Sequence, residues 1–196
     1  MRSWTKQFIG CHNGFKVLRL LYDQGTTDIG TRPPPPRFSM CVLLPDARDG
    51  LWGLIDRVTS KRSFLRDHLP TRRFTIGDFR LPRFKLTFSG DITGAVVKGL
   101  GLGGVFTMGE ADLSHMVEDK RPLAMNGVVH KAVIEVNEEG TKAVAVMACC
   151  MFGMSARKPQ PPPVLVDFVA DHPFAFFVIE EVSGAIVFMG HVLEPR

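Results

Sequence analysis

Residues 128–141 read VVHKAVIEVNEEGT, and this stretch decides the fold. Side chains alternate along it, with charged Lys131 and Glu135 on one face of an extended chain. The pattern predicts a β-strand over Asn126–Glu138. The other face carries His130, Ala132, Ile134 and Val136. We therefore expect His130 to be a buried, hydrogen-bonded structural histidine rather than a catalytic or metal-binding one.

The chain that follows this strand does not return to a core at once. Residues 140–148 are GTKAVAVMA, all small or compatible with a strand, and prolines stand at position 159 and at 161–163. The next strand is predicted only at Val164–Phe168. Excursions this long are uncommon in compact domains and are often functional. From the residues alone, a functional loop and a flexible surface excursion remain equal alternatives.

The rest of the chain is predicted to be rich in strands. A nearly unbroken apolar run at Phe38–Leu44 indicates a strand buried on both faces. Helical spacing predicts one helix from Asp49 to about Arg57 or Thr59 and short helices at Ser63–His68 and Ser89–Leu100. The other predicted strands are Phe15–Tyr22, Phe74–Phe79, Leu81–Phe88, Phe174–Glu180 and Ala185–Val192. The last two should form a buried hairpin around Ser183-Gly184, and the whole pattern indicates an α+β protein.

Composition excludes several classes. The chain has 196 residues, with 45% hydrophobic and 22% charged residues, which is typical of a globular domain. No apolar run approaches the roughly 18 to 20 residues that span a bilayer, and no secretory signal follows Met1, so no membrane partner is expected. The four cysteines are expected to be free, apolar thiols, which weakly favours a reducing compartment: Cys11, Cys41, Cys149 and Cys150.

Positive charge is concentrated between Asp56 and Lys85, although the formal net charge is only +4. A clustered basic face can attract polyanions. The alternative is a solvated helix face, which we favour because no nucleic-acid motif accompanies the charges. Weak polyanion binding is predicted to involve Arg57, Lys61, Arg62, Arg66, Arg72 and Arg73.

Sequence motifs for enzymatic chemistry are absent or lack the structural context that they require. Residues 99–104, GLGLGG, match the spacing G-x-G-x-x-G, but a helix is predicted before them and not after, so they should end a helix and form a turn. No HExxH, paired cysteine spacing or G-x-S-x-G elbow occurs. We expect neither an enzyme, nor a cofactor, nor a metal site.

Several blocks of the sequence resemble the serpin family, in its plant type. The strand and its exit, HKAVIEVNEEGT at 130–141, look like the serpin strand that leads into the reactive-loop hinge. Residues 167–174, DFVADHPF, are similar to the segment that follows the loop in plant serpins. Further matches in the same order are Phe38-Ser39-Met40, Leu43-Leu44-Pro45-Asp46, Lys98-Gly99-Leu100-Gly101-Leu102 and Phe188-Met189-Gly190-His191-Val192.

The resemblance implies a protease inhibitor that acts as a suicide substrate, with a reactive-centre loop at 139–166 that inserts into a β-sheet after cleavage. Family spacing places the bait bond at Met154-Ser155, which would suit a serine protease with an apolar primary pocket, chymotrypsin- or elastase-like; a cysteine protease is the alternative target. Arg157 is the rival bait if the register slips. The implied hinge consists of Glu138, Glu139, Gly140, Thr141, Ala143, Ala145 and Met147.

The resemblance also implies departures from the family. Residues 1–196 would be the C-terminal part of one serpin domain, so the fold expected is a truncated α+β serpin with mixed and antiparallel sheets and a long exposed loop. Met147 stands where the family prefers threonine, and its bulk should slow insertion. A non-inhibitory binding or storage protein, or a fragmentary gene product, is therefore the alternative function. The family occurs in the extracellular space and the cytoplasm, and the sequence does not choose between them.

Overall fold

The computed structural model describes residues 6–22, 36–137 and 165–195. Its strands are β1 (Gln7–His12), β2 (Phe15–Leu21), β3 (Phe38–Pro45), β4 (Arg73–Arg80), β5 (Phe84–Asp91), β6 (Val129–Val136), β7 (Leu165–Val169), β8 (Phe174–Glu180) and β9 (Ile186–Val192). Its helices are α1 (Leu51–Ser60), α2 (Phe64–His68) and α3 (Thr93–Leu100), with 3₁₀ turns at Gly103–Phe106 and Ser114–Met116. No described helix has the length and apolarity needed to cross a membrane.

The described chain divides into two compact units. The larger unit, drawn from residues 1–84 and 136–196, holds a seven-stranded sheet in the order β7-β4-β1-β2-β3-β8-β9. Its neighbours pair antiparallel, except that β4 and β7 run parallel. The smaller unit, residues 85–135, holds α3, both 3₁₀ turns and most of a two-stranded sheet made by β5 and β6. These elements confirm the predicted α+β class with mixed sheets.

The core of the larger unit lies between one face of the sheet and the pair α1–α2. In β3 every residue from Ser39 to Pro45 is buried, as its apolar run predicts. Alternate side chains of β2, β3 and β8 meet the apolar stripe of α1 and the ring of Phe64, because successive residues of a strand point to opposite faces. The cluster consists of Phe15, Val17, Cys41, Leu43, Leu51, Leu54, Phe64, Ala175, Phe177 and Ile179.

The opposite face of the same strands is also buried. Phe174 and Phe176 of β8 are 0% and 2% exposed, and their rings lie 5.9 and 5.3 Å from the ring of Phe84. Phe84 is the last residue of the larger unit before the chain enters the smaller one. Burial on both faces explains why β3 and β8 are almost continuously apolar.

In the smaller unit, α3 ends as the glycine pattern predicts. Gly101 caps its C-terminus with a left-handed φ of 67°, a conformation that glycine adopts without steric penalty. At the other end, Asp91 accepts hydrogen bonds from the N–H and hydroxyl groups of Thr93, at 2.8 and 2.5 Å. The helix therefore precedes the G-x-G-x-x-G spacing, so the dinucleotide interpretation fails here.

Four sequence predictions need correction. Strand β1 was not predicted: its sequence QFIGCH has no clear alternation, and it is held by pairing with β2 and β4. The strand predicted at 81–88 lies at Phe84–Asp91, so the helix predicted from Ser89 begins only at Thr93. The fourth correction concerns β9, which pairs with β8 as expected but exposes four of its apolar side chains: Ile186, Val187, Phe188 and Met189.

Candidate functional site

The residues predicted for the reactive bond and the hinge lie outside the described residues. This holds for Glu138, Glu139, Gly140, Thr141, Ala143, Ala145, Met147, Met154, Ser155 and Arg157. The structure does describe the two strands between which they fall, β6 before residue 138 and β7 from Leu165. How these two strands are held determines how the chain enters and leaves the predicted loop.

The upstream strand β6 is tied to β5 and α3. Lys85 on β5 and Glu135 on β6 form an exposed ion pair at 2.9 Å. Just before β6, Val128 donates its N–H to the Thr93 hydroxyl at 2.8 Å, while its carbonyl accepts the Ile92 N–H at 2.9 Å. These bonds link the start of β6 to the first turn of α3, so the strand that leads to the predicted hinge has a fixed origin.

His130 is exposed, and the prediction that it is buried is wrong for this chain. Its ring lies 5.9 Å from that of Phe88 on β5, which is itself 54% exposed. The alternation on β6 identifies the apolar face, but a two-stranded sheet does not bury that face by itself. The structural role assigned to His130 by resemblance remains a prediction.

The downstream strand β7 joins the edge of the seven-stranded sheet beside β4. Partners are Thr75 with Leu165, Ile76 with Val166, Phe79 with Phe168, and Arg80 with Val169, with a shift of register between the second and third pairs. The ring of Phe168 is fully buried, 6.2 Å from that of Phe79. Beyond the strand, the Ala170 N–H donates to the Arg80 carbonyl at 2.8 Å. The downstream flank is thus fixed by both backbone and core contacts.

Asp167, in the middle of β7, was not singled out by the sequence reasoning. Its Oδ1 accepts the Asp78 N–H at 2.7 Å, and its main-chain carbonyl accepts a hydrogen bond from Lys16 Nζ at 3.0 Å. The sequence offered one signal, an acidic residue inside a short apolar strand. The Gly77-Asp78 pair that this residue faces lies on another strand, β4. That relation can be recognised only when β4 and β7 are known to pair.

A second polar group follows β7. Asp171 accepts a hydrogen bond from His172 Nδ1 at 2.8 Å and pairs with Arg48 at 2.6 Å. The His172 bond, and then the Arg48 charge, lower the pKa of Asp171 below its usual value. His172 Nε2 lies 2.6 Å from the Pro45 carbonyl at the end of β3. The turn between β7 and β8 is therefore connected to the end of β3.

The basic residues predicted to bind polyanions divide into two groups. Arg57 and Arg73 lie over the rings of Phe15 and Phe8, at 4.9 and 4.6 Å from the ring centroids, and Lys61 pairs with Asp67 at 2.8 Å. All six residues are exposed, Arg62, Arg66 and Arg72 as well as the three that make these contacts. Half of the set is thus engaged within the protein, and polyanion binding remains a prediction.

Within the part of the chain that the structure describes, no group of three His, Cys, Asp or Glu residues could hold a metal ion. Cys11 and Cys41 are free thiols, while Cys149 and Cys150 lie outside the described residues. Burial raises the pKa of Cys41 to about 11, so this thiol behaves as a small apolar core residue. Cys11 is exposed, contrary to the prediction that it would behave in the same way.

The sequence that contains the flanking strands β6 and β7 matches a known protein family. The family model of the serpins, described as serine protease inhibitors, matches residues 1–195. A serpin-Z5 sequence of Oryza sativa subsp. japonica is 60% identical over 97% of this chain and 44% of its own length. Serpin-ZX of Hordeum vulgare is 42% identical over 100% of this chain and 46% of its own length. The chain spans about half the length of the curated relatives it matches.

Solved structures agree. The native stressed conformation of Arabidopsis AtSerpin1 matches with a TM-score of 0.70 and 36% identity, covering 98% of this chain and 47% of that one. Uncleaved ovalbumin, at 23% identity, shares the fold with a TM-score of 0.63. The family match spans β6, the undescribed 138–164 and β7 together. The chain belongs to the serpin family.

Proposed function

We propose that this protein inhibits serine proteases as a suicide substrate, with Met154-Ser155 as the bait bond. The observation that carries the proposal is the match of the serpin model to residues 1–195, which include the sequence of the predicted loop and both flanking strands. Each flanking strand is held within its own unit, β6 by α3 and β7 by β4, and this supports it, because the residues on either side of a bait have to be held in place.

The proposed chemistry begins as ordinary proteolysis. The serine hydroxyl of the protease attacks the carbonyl carbon of Met154, the bond to the nitrogen of Ser155 breaks, and that nitrogen leaves as an amine with the transferred proton. An ester now joins Met154 to the protease. Insertion of the released upstream arm beside β6 would then trap this ester before water hydrolyses it.

The side chain of Met154 defines the proposed target. An apolar, unbranched side chain suits a deep apolar primary pocket, so we expect a chymotrypsin- or elastase-like serine protease. A cysteine protease of similar pocket is the second choice, and the covalent bond would then be a thioester. If Arg157 were the bait instead, a trypsin-like enzyme would be favoured.

Two features should make trapping inefficient in this chain. By strand parity, the side chains that would face inward on insertion are those of Thr141, Ala143, Ala145, Met147 and Cys149. In the complete sheet that the resemblance implies, Met147 would overpack a narrow slot at a cost of about 1–3 kcal/mol. In addition, β5 is the sole strand paired with β6 among the described residues, so an inserted arm would gain a partner on one side only.

The test is incubation with chymotrypsin, elastase and trypsin, followed by a denaturing gel. We expect a protease-linked band with chymotrypsin or elastase alongside a larger amount of simply cleaved chain. Met154→Arg should move the reactivity to trypsin, while the matched control Arg157→Ala should leave the chymotrypsin reaction unchanged. Absence of a covalent band with all three proteases would refute inhibition by this chain.

The alternative is a non-inhibitory serpin, favoured by the single described partner of β6. The two functions differ in what cleavage does to stability. An inserting loop adds a strand and should raise the melting temperature markedly, whereas a non-inhibitory chain should show no rise. Thermal unfolding before and after cleavage at 154–155 separates them.

A further inference from the structure

The ladder between β4 and β7 contains a β-bulge. Ile76 pairs with Val166 and Phe79 pairs with Phe168. Between these pairs, two residues of β4, Gly77 and Asp78, face a single residue of β7, Asp167. A bulge of this kind interrupts the main-chain ladder and leaves a backbone group without its usual strand partner. Such a point is where a short edge strand could slip by one residue.

The side chain of Asp167 fills the interruption. Its Oδ1 accepts the Asp78 N–H at 2.7 Å, in place of the main-chain acceptor that a regular ladder would supply. Hydrogen bonds to an ionised acceptor are roughly twice as strong as neutral ones. The carboxylate therefore satisfies the donor that the bulge displaces and holds the two strands together at the same place.

Gly77 provides the room for this contact. A Cβ added at residue 77 would overlap Asp167 Oδ1 and also approach Leu165 Cβ, at 3.6 Å. Every residue other than glycine would thus push the carboxylate away from the Asp78 N–H. The requirement is steric, since the backbone at Gly77 does not have a positive φ.

A third strand contributes to the same position. Lys16 on β2 donates from Nζ to the main-chain carbonyl of Asp167 at 3.0 Å. Asp167 is thus held through its side chain by β4 and through its backbone by β2. Both contacts act on the strand through which the chain re-enters the sheet after residue 164.

We propose that Asp167 is a positioning residue that fixes the register of β7 and so sets the point at which the predicted reactive loop ends. This inference deepens the proposed function and rests on it. We call the hydrogen bond from the Asp78 N–H to Asp167 Oδ1 the clamp. Without the clamp, β7 should detach from β4, and the segment that a protease can cut should extend past residue 164 to Phe168. That phenylalanine is fully buried here and is a residue that chymotrypsin cleaves well once it is accessible.

Two variants remove the clamp from opposite sides, and a third keeps part of it. Asp167→Ala deletes the acceptor, and Gly77→Ala displaces it. Asp167→Asn keeps a neutral oxygen at the same position, so it should retain roughly half of the bond's strength. Hydrogen exchange measured on the whole chain should show the amides of Asp78 and of residues 165–169 exchanging about tenfold faster in the first two variants than in the wild type, with Asp167→Asn between them. Amides of β3 should be unchanged in all four proteins, which excludes general unfolding.

Chymotrypsin provides the second measurement. Mass spectrometry of brief digests should find cleavage after Phe168 in Asp167→Ala and Gly77→Ala, less in Asp167→Asn and none in the wild type. If Asp167→Ala fails to fold, Gly77→Ala against the wild type decides the matter. Unchanged exchange in Gly77→Ala, or equal loss of protection in Asp167→Asn and Asp167→Ala, would overturn the inference. The proposed function is judged separately, by whether a covalent complex forms at Met154.

Discussion

Two neighbouring strands that are both mostly apolar differ sharply in burial. In β8, FAFFVIE, every residue from Phe174 to Ile179 is buried. In β9, IVFMGHV, the side chains of residues 186–189 are between 38% and 72% exposed. The two strands pair with each other over almost their whole length. Local sequence therefore predicts that both form strands, but it does not predict which of them lies inside.

The difference comes from position in the sheet. Strand β8 has β3 on one side and β9 on the other, and both its faces are covered. Strand β9 is the last strand of that sheet among the described residues. Its apolar side chains form an exposed surface of the kind that usually contacts other protein. An apolar run thus indicates a strand that is suited to burial. Whether the strand is buried depends on the segments that pack against it.

The largest expected effect comes from truncating a ring on each strand. Phe176→Ala on β8 empties a site that is 2% exposed and packs against Phe84, and should lower the free energy of unfolding by about 3–5 kcal/mol. The matched change on β9, Phe188→Ala, removes a ring that is 38% exposed and should lower it by less than about 1.5 kcal/mol. Urea unfolding measures both, and equal losses would show that the two strands do not differ in how much their buried side chains stabilise the protein.

A smaller effect is expected where β9 does pack tightly. A Cβ at Gly190 would lie 2.7 Å from Cζ of Phe176, so Gly190→Ala should cost about 1–3 kcal/mol through overpacking. The control is Gly53→Ala in α1, where a Cβ meets nothing within 4 Å. That change should stabilise the protein by about 0.5–1 kcal/mol, because alanine is the better helix former. Thermal or urea unfolding should show a loss of stability for Gly190→Ala and a gain for Gly53→Ala. Two losses of similar size would contradict tight packing at Gly190.

A covered polar ring should make stability depend on pH. His12, at the end of β1, stacks on Phe15 with ring centroids 5.0 Å apart and meets the edge of His68 on α2 at 4.7 Å. Burial lowers the pKa of His12 below 6.5; the hydrogen bond to the His68 carbonyl opposes this, and the nearby His68 and Arg57 charges add to it. As the pH falls, the unfolded chain therefore binds a proton at His12 at a higher pH than the folded chain does. The free energy of unfolding should decrease as the pH drops below about 6.5, until the folded-state pKa is passed.

Urea unfolding at a series of pH values from 7.5 to 5 measures this effect. In His12→Gln the slope over that window should be shallower than in the wild type, because the variant has no proton to bind at that position. A slope that is identical in the two proteins would show that His12 is not coupled to folding.

The smallest effect on stability is expected at the most exposed position of β9. Met189 is 72% exposed, so Met189→Lys should change the free energy of unfolding by no more than about 0.5 kcal/mol. It should nevertheless reduce self-association, because a charge on an edge strand opposes pairing with other chains. Light scattering at increasing protein concentration tests this, and unaltered association would show that β9 does not mediate self-association.

Sequence predicted the fold best where one strand or helix carries its own signal. The continuous apolar run of β3 and the alternation of β6 located both strands, and Gly101 marked the end of α3. Strand β1 was missed because its order depends on its partners rather than on its own pattern. The exposure of His130 and of β9 could not be predicted, since burial depends on which other segments cover a face.

The candidate site shows the same division. The serpin resemblance identified the sequence blocks on both sides of residues 138–164, and the family match bears this out. An acidic residue inside an apolar strand was the signal for Asp167, but its relation to Gly77 exists only once β4 and β7, far apart in sequence, lie side by side. The bait bond itself remains a prediction from family spacing.

The most direct test of the central claim is intact-mass analysis of the chain quenched during reaction with chymotrypsin. We expect an adduct in which the protease is joined to the fragment that ends at Met154, together with a released peptide that begins at Ser155. Cleavage only at other bonds, or complete conversion to two fragments with no adduct at any time, would contradict this expectation.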